Sequence, residues 1–170
     1  MKLLSYILSS CATVLGLCEP FGKKMRTVLI FNFLGNFLVA LSYLAIRTYN
    51  GFFICCAACI QVLINYLFEK NNKKLPASLI AFYIISFTAI NMLSFSHWYD
   101  LFALAASIIF VMSVAQTNTK FYRLYYVSNS MLWIIYDLCA GAYGNLSTHI
   151  ILSLSIFTAI IVRDKKKNTN

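Results

Sequence analysis

Residues 27–46 read TVLIFNFLGNFLVALSYLAI, twenty residues without a charge, preceded by Lys23, Lys24 and Arg26 and followed by Arg47. Wound as a helix at about 1.5 Å per residue, such a run matches the roughly 30 Å of hydrocarbon in a bilayer. The rest of the chain repeats the pattern. Apolar runs separated by charge clusters and turn residues lie at Leu3–Cys18, Gly51–Phe68, Leu75–Phe95, Trp98–Ala115, Leu124–Leu138 and Ser147–Val162. Lipid supplies no partners for backbone N–H and C=O groups, so runs of this length are helices, since barrel strands are about half as long. The expected fold is an all-α membrane protein of seven transmembrane helices.

Composition agrees. Of 170 residues, 61% are hydrophobic and 11% charged, less than half the roughly 25% charge usual in soluble domains. A soluble fold of this size would expose far more apolar surface than water tolerates, and seven spans leave no room for a soluble domain. Fourteen basic residues face five acidic ones, a net charge of +9. In a soluble protein that excess would point to nucleic acid; in a membrane protein it reports orientation. Lys23, Lys24 and Arg26 follow helix 1, and Lys70, Lys73 and Lys74 follow helix 3. Lys120 and Arg123 follow helix 5, and Arg163, Lys165, Lys166 and Lys167 follow helix 7. These twelve fall on one side, leaving only Lys2 and Arg47 for the other, which predicts an outer N-terminus and a cytoplasmic C-terminus. Cleavage of the first segment is not expected, because Leu17 before Cys18 is bulky where processing sites take small residues.

A shift of 93 positions aligns Asn36 with Asn129, Tyr43 with Tyr136, Gly51 with Gly144, and Lys73 and Lys74 with Lys166 and Lys167. Helices 1–3 then match helices 5–7. This predicts a 3+1+3 plan: a three-helix repeat over residues 1–74, a connector helix within 75–97, and a second repeat with its basic tail over 98–170. An odd connector keeps both units in the same orientation, as in SWEET-type carriers, whose site lies between parallel repeats near the midplane.

Polar residues in a span face protein or water. Asn32 and Asn36 share one face of helix 2, and Asn129, Trp133 and Tyr136 share one face of helix 6, with Asp137 adjoining. As repeat mates, Asn36 and Asn129 would face one another across a central interface. Paired carboxamides offer donors and acceptors without charge, and Trp133 and Tyr136 offer flat surfaces for a ring. Asn32, Asn36, Asn129, Trp133, Tyr136 and Asp137 are therefore the candidate substrate-binding residues. Interhelical bonding is the competing reading of the same amides. Asp137 is a carboxylate within the predicted spans, toward the outer end of helix 6; pairing with Arg47 or water near the outer face accounts for it equally, and passive facilitation is expected over proton symport. Gln61, Asn65 and Asn91 are further polar positions in helices 3 and 4.

Cys56 and Cys59 form a C-x-x-C within Cys55–Cys59. Membrane thiol oxidases need a second, loop-borne pair, and Cys11, Cys18 and Cys139 do not supply one, so small-residue helix packing is expected. His97 and His149 read as single residues, apart from a weak His97–Asp100 pairing across one turn. No phosphate loop or hydrolase motif is present, so no enzyme, metal or cofactor is expected.

Trp133-x3-Asp137-x2-Ala140-Gly141-x2-Gly144, followed by an apolar helix ending at Arg163, resembles the YgjV family of bacterial inner-membrane proteins. Leu41-x7-Tyr49-Asn50-Gly51 and the region 64–68 echo it in the first repeat. The chain departs from the family at Asp137, where Asn is usual, and at His149, where an acidic residue is usual. Gln61 and Asn65 stand near the place of a common Arg. The resemblance implies a multi-pass inner-membrane location, and its helix plan is similar to SWEET and PnuC carriers at the level of fold analogy. The leading expectation is a carrier or facilitator for a small neutral polar solute, sugar- or nucleoside-like, with the lipid bilayer as its necessary partner and no nucleic acid. Self-association is left open. A non-transporting assembly or sensor protein, and behind it a thiol oxidoreductase, are the alternatives.

Overall fold

The computed structural model describes residues 2–164, with side chains described to residue 162. Lys165, Lys166 and Lys167 of the basic tail lie outside the described residues, as does the tail's part in the repeat match. Seven α-helices carry nearly all of the described residues: α1 Lys2–Cys18, α2 Met25–Ala45, α3 Tyr49–Lys70, α4 Ala77–Leu93, α5 Asp100–Val114, α6 Thr119–Ala140 and α7 Tyr143–Ala159. A 3-10 turn, Glu19–Phe21, extends α1, and a π turn, Ile160–Asp164, extends α7. No strand occurs among the described residues.

Among the described residues, four segments are long and apolar enough to cross a membrane: Lys2–Phe21, Met25–Ala45, Tyr49–Lys70 and Tyr143–Val162. Ala77–Leu93 and Asp100–Val114 are apolar but shorter. Helix α6 has the length, with 22 residues, but includes Lys120, Arg123 and Asp137.

Helix ends differ from the sequence reading where side chains cap them. Asn118 accepts the backbone N–H of Lys120 at 2.9 Å, so α6 begins at Thr119 and takes in Lys120 and Arg123, expected in a loop. Pro76 precedes α4, which starts at Ala77. Asp100 stops the connector from running into the next helix: its Oδ2 accepts the N–H groups of Ser96 and His97 at 2.8 and 2.9 Å. Its Oδ1 accepts Asn50 Nδ2 at 2.9 Å. The expected link between His97 and Asp100 is thus made by the backbone, while the His97 ring stacks on Tyr99.

The partition of side chains is inverted relative to a soluble protein. Leu3, Ile7, Val14, Phe37, Ile60, Phe82, Ile85, Leu124 and Leu154 are exposed, whereas Ser9, Asn32, Ser42, Gln61, Asn91, Ser130 and Asp137 are buried. Lipid accepts the first set and would leave the second unsatisfied. Helix α2 packs between α1 and α3, and α6 between α5 and α7; α1 also meets α7, α3 meets α5, and α4 covers α3 and α5. The loops after α1, α3 and α5 gather at one end, where Lys23, Lys24, Arg26, Glu69 and residues 117–119 line a common groove. Lys2, Arg47 and Gly141 meet at the other end.

A seam of small polar residues joins α1, α2 and α7. Ser42 Oγ lies 2.7 Å from Ser5 Oγ and 2.8 Å from Ser9 Oγ. Ser9 donates to Asn145 Oδ1 at 2.6 Å, and Thr13 to Thr148 at 2.8 Å. Gly16 permits the contact lower down: a Cβ there would come within 2.6 Å of Leu152. Such residues let helices approach closely enough to bond.

Asp100 accepts three hydrogen bonds from three separate groups while 2% exposed. Asp100→Ala should therefore cost about 3 kcal/mol or more, read by reversible denaturation in mixed micelles, and Asp100→Asn noticeably less.

Candidate functional site

The helices enclose a narrow central cavity of about 40 Å³, room for a few waters. Every one of the seven helices contributes to its wall. Asn36 and Asn129 both line it, together with Asn32, Gly35, Trp133 and Tyr126. The two amides do not bond each other. Asn36 Nδ2 donates to Asn32 Oδ1 and to the Asn32 carbonyl, each at 2.9 Å, and Asn129 Nδ2 donates to the Ala106 carbonyl at 2.7 Å. Each amide nitrogen is thereby engaged by its own surroundings. Cys55 and Thr148, also 93 residues apart, line the same space. Gly35 leaves it open, since a Cβ there would meet nothing within 4 Å.

Trp133 is in the wall, but Tyr136 and Asp137 stand behind it. Tyr136 is fully buried among aromatic rings, 5.3 Å from Trp133, 5.8 Å from Tyr99 and 6.2 Å from Tyr43 between centroids. It borders an outer groove with Arg47 and Asp100 instead of the central cavity. Gly51 seats this cluster, for a Cβ there would come within 2.9 Å of the Tyr43 ring.

Asp137 is fully buried and takes neither partner expected of it, Arg47 or water at the surface. Tyr43 donates its hydroxyl to Oδ1 at 2.6 Å, and His149 Nε2 lies 3.7 Å from Oδ2. The His149 ring stacks on Trp133, 5.8 Å away at 8°, and lines the cavity. His149 therefore does have a carboxylate neighbour, contrary to its reading as a single residue. Packing of α7 on α6 creates the pair across twelve residues of sequence, and no local spacing announces it.

Glu19 is the residue that the apolar pattern misses. It sits one position beyond the first run, yet it is 4% exposed and lines the cavity at its basic end. Its Oε1 accepts Asn32 Nδ2 at 2.9 Å and the hydroxyl of Tyr122. The Asn32 amide also reaches the Tyr122 hydroxyl at 3.1 Å. Asp100 and Asp137 are thus joined by a third buried carboxyl group. Arg123, read as a loop charge, is likewise 4% exposed, with Nε donating to the Pro20 carbonyl at 2.9 Å.

The thiols show no redox pairing among the described residues: the six cysteines are free, and Cys59 Sγ faces the Phe33 carbonyl at 3.8 Å. No group of three His, Cys, Asp or Glu residues suited to a metal occurs among the described residues. Asn65 and Asn91 join α3 and α4 to α5, donating to the Val114 carbonyl at 3.1 Å and to Ser107 Oγ at 3.4 Å respectively, and Asn91 also bonds the Phe87 carbonyl within its own helix.

Because Asp137 satisfies the buried Tyr43 hydroxyl, Asp137→Asn should retain an acceptor and change stability by about 1 kcal/mol or less. Asp137→Ala should lose about 2–4 kcal/mol. Denaturation in mixed micelles measures both, and equal losses would contradict the assigned hydrogen bond.

No curated protein and no solved structure matches this sequence. The model of Imp-YgjV, a family of bacterial inner membrane proteins, matches residues 3–167; the chain belongs to that family and is a multi-pass protein of the bacterial inner membrane.

Proposed function

We propose that the protein is a carrier for a small neutral polar solute, sugar- or nucleoside-like, working by alternating access between two parallel three-helix units. The observation that carries this reading is the central cavity to which all seven helices contribute and which Asn36 and Asn129 both line. In this reading α1–α3 and α5–α7 are the moving units and α4 is their connector. The packing order supports it: a two-fold exchange of α1–α3 with α5–α7 turns the α1–α7 contact into the α5–α3 contact, and both exist. Asn36 and Asn129 offer amide oxygens to solute hydroxyls, and Trp133 offers a ring face. A cavity of about 40 Å³ is too small for a sugar, so the units part to admit one. That small volume is also what favours the second reading, a non-transporting assembly or sensor protein.

Uptake of a labelled sugar and nucleoside panel into proteoliposomes separates the two. Wild type should accumulate at least one solute. Asn36→Ala and Asn129→Ala should each lower its uptake about tenfold, equivalent to one lost hydrogen bond of about 1.4 kcal/mol, with elution from gel filtration unchanged. Full uptake by both variants removes these residues from the site. The proposed orientation places the basic loops in the cytoplasm. In a background without native cysteines, Lys73→Cys should react with a membrane-impermeant maleimide only after the membrane is opened, and Ser96→Cys in intact cells.

A further inference from the structure

The cavity floor joins Glu19 to Asn36 through a continuous hydrogen-bond chain. Asn36 Nδ2 donates to Asn32 Oδ1, and Asn32 Nδ2 donates in turn to Glu19 Oε1, where the Tyr122 hydroxyl also bonds. Each amide in this chain has a direction: N–H toward Glu19, oxygen toward Asn36. An ionised carboxyl group only accepts, so it enforces that direction. A protonated carboxyl group carries one donor; the acceptors within its reach are the Tyr122 hydroxyl and, once the side chain turns over, the Asn32 amide oxygen.

We propose that Glu19 is the proton-binding group of a proton-coupled carrier, and that its protonation reverses the amide polarity Asn36 presents to the cavity. With the carboxylate charged, both amides point their N–H groups toward Glu19, and Asn36 presents its oxygen to a solute. When an Oε atom takes a proton from the aqueous phase, the new O–H donates to Asn32 Oδ1 as that amide turns over. Asn32 then directs its N–H groups at Asn36, which turns its own oxygen inward and its N–H groups to the solute. Release of the proton at the other face restores the first arrangement. Proton and solute affinities are linked through these amides, as reciprocity requires.

The groups facing Glu19 are consistent with this role. From α6 come Tyr122, Tyr126 and Arg123, the last held on the neighbouring Pro20 carbonyl. Helix α2 contributes the uncharged Asn32. Helix α1 contributes Ala12 and Gly16 to the shared cavity, and α7 contributes His149 at its far part. The inference rests on the carrier reading for its consequence, though the proton site itself can be tested apart from it.

The test uses the full chain in liposomes of bacterial polar lipid, with the proton as the ligand. Infrared difference spectra between neutral and acidic buffer should contain a protonated-carboxyl C=O band that disappears in Glu19→Gln. An accompanying amide C=O change should disappear in Asn36→Ala. Tyr122→Phe, which leaves the carboxyl group in place, should move the pH midpoint of the band, and it decides the matter if Glu19→Gln does not assemble. A band untouched by Glu19→Gln, or a midpoint untouched by Tyr122→Phe, overturns the proposal. In uptake assays with whichever panel solute wild type carries, a gradient of one pH unit should raise accumulation about tenfold for one proton per solute, and Glu19→Gln should abolish that response. A sodium gradient driving accumulation in place of the proton also overturns it. If the band belongs to Glu19 and no panel solute is carried, the proton site stands and the carrier reading fails.

Discussion

A polar group placed in hydrocarbon must find its partner within the protein, and this requirement orders the whole bundle. Water-soluble folds can leave a serine or a carboxamide at the surface; here the surface is lipid, so polar side chains turn inward, and many of them bond across helices. Ser5, Ser9 and Ser42 converge from α1 and α2, Asn145 and Thr148 from α7. One interhelical bond of this kind contributes only about 0.6 kcal/mol on average. An orphaned group costs several times more. The asymmetry makes the seam a specifier of which helices meet, more than a source of stability, because a wrong neighbour would strand its hydroxyls.

The same requirement gives the cavity two ends of different chemistry. Toward the outer groove, Trp133, Tyr43, Tyr136 and Tyr99 close it by ring packing. Toward the basic loops, Glu19, Asn32 and Tyr122 close it by hydrogen bonds. Opening the first separates apolar and aromatic surface that lipid or solute can partly re-cover. Opening the second exposes a carboxyl group and its donors, which water solvates well. Asp137 lies beyond the aromatic layer, held by Tyr43 and near His149, and it fixes the rings in place.

How much of this was legible in the sequence follows from the range of each signal. The uncharged run 27–46 and its flanking basic clusters identify lipid-crossing helices, because span length and loop charge are local properties. Asn36, Asn129 and Trp133 could be placed in one wall because helical spacing and a repeat shift act as a coordinate system. Glu19 was not legible: the apolar run ends at Cys18, and only the 3-10 turn through Pro20 carries the next residue back over the cavity. His149 and Asp137 meet through the packing of two helices, which spacing does not encode. Lys120 and Arg123 looked like loop charges because one capping contact from Asn118 decides where α6 begins.

The departures from the repeat are more informative than its matches. Under the shift of 93, two pairs of uncharged wall residues coincide, Asn36 with Asn129 and Cys55 with Thr148, whereas Asn32, Ser107 and Tyr126 fall on Tyr125, Val14 and Phe33 outside the wall. The carboxyl and imidazole groups have no like mates either. Glu19 corresponds to Met112, Asp137 to Leu44 and His149 to Cys56. In the proposed carrier, a solute site between units that exchange roles would benefit from groups present in both, since contacts made in one arrangement are re-formed in the other. A group that senses or carries charge has the opposite need: duplicated about the axis, it would respond alike from both faces and distinguish neither. Glu19 near the basic end, against Asp137 and Asp100 toward the other, makes the two ends of the cavity chemically inequivalent. In the proposed carrier, direction would come from the residues the repeat does not share.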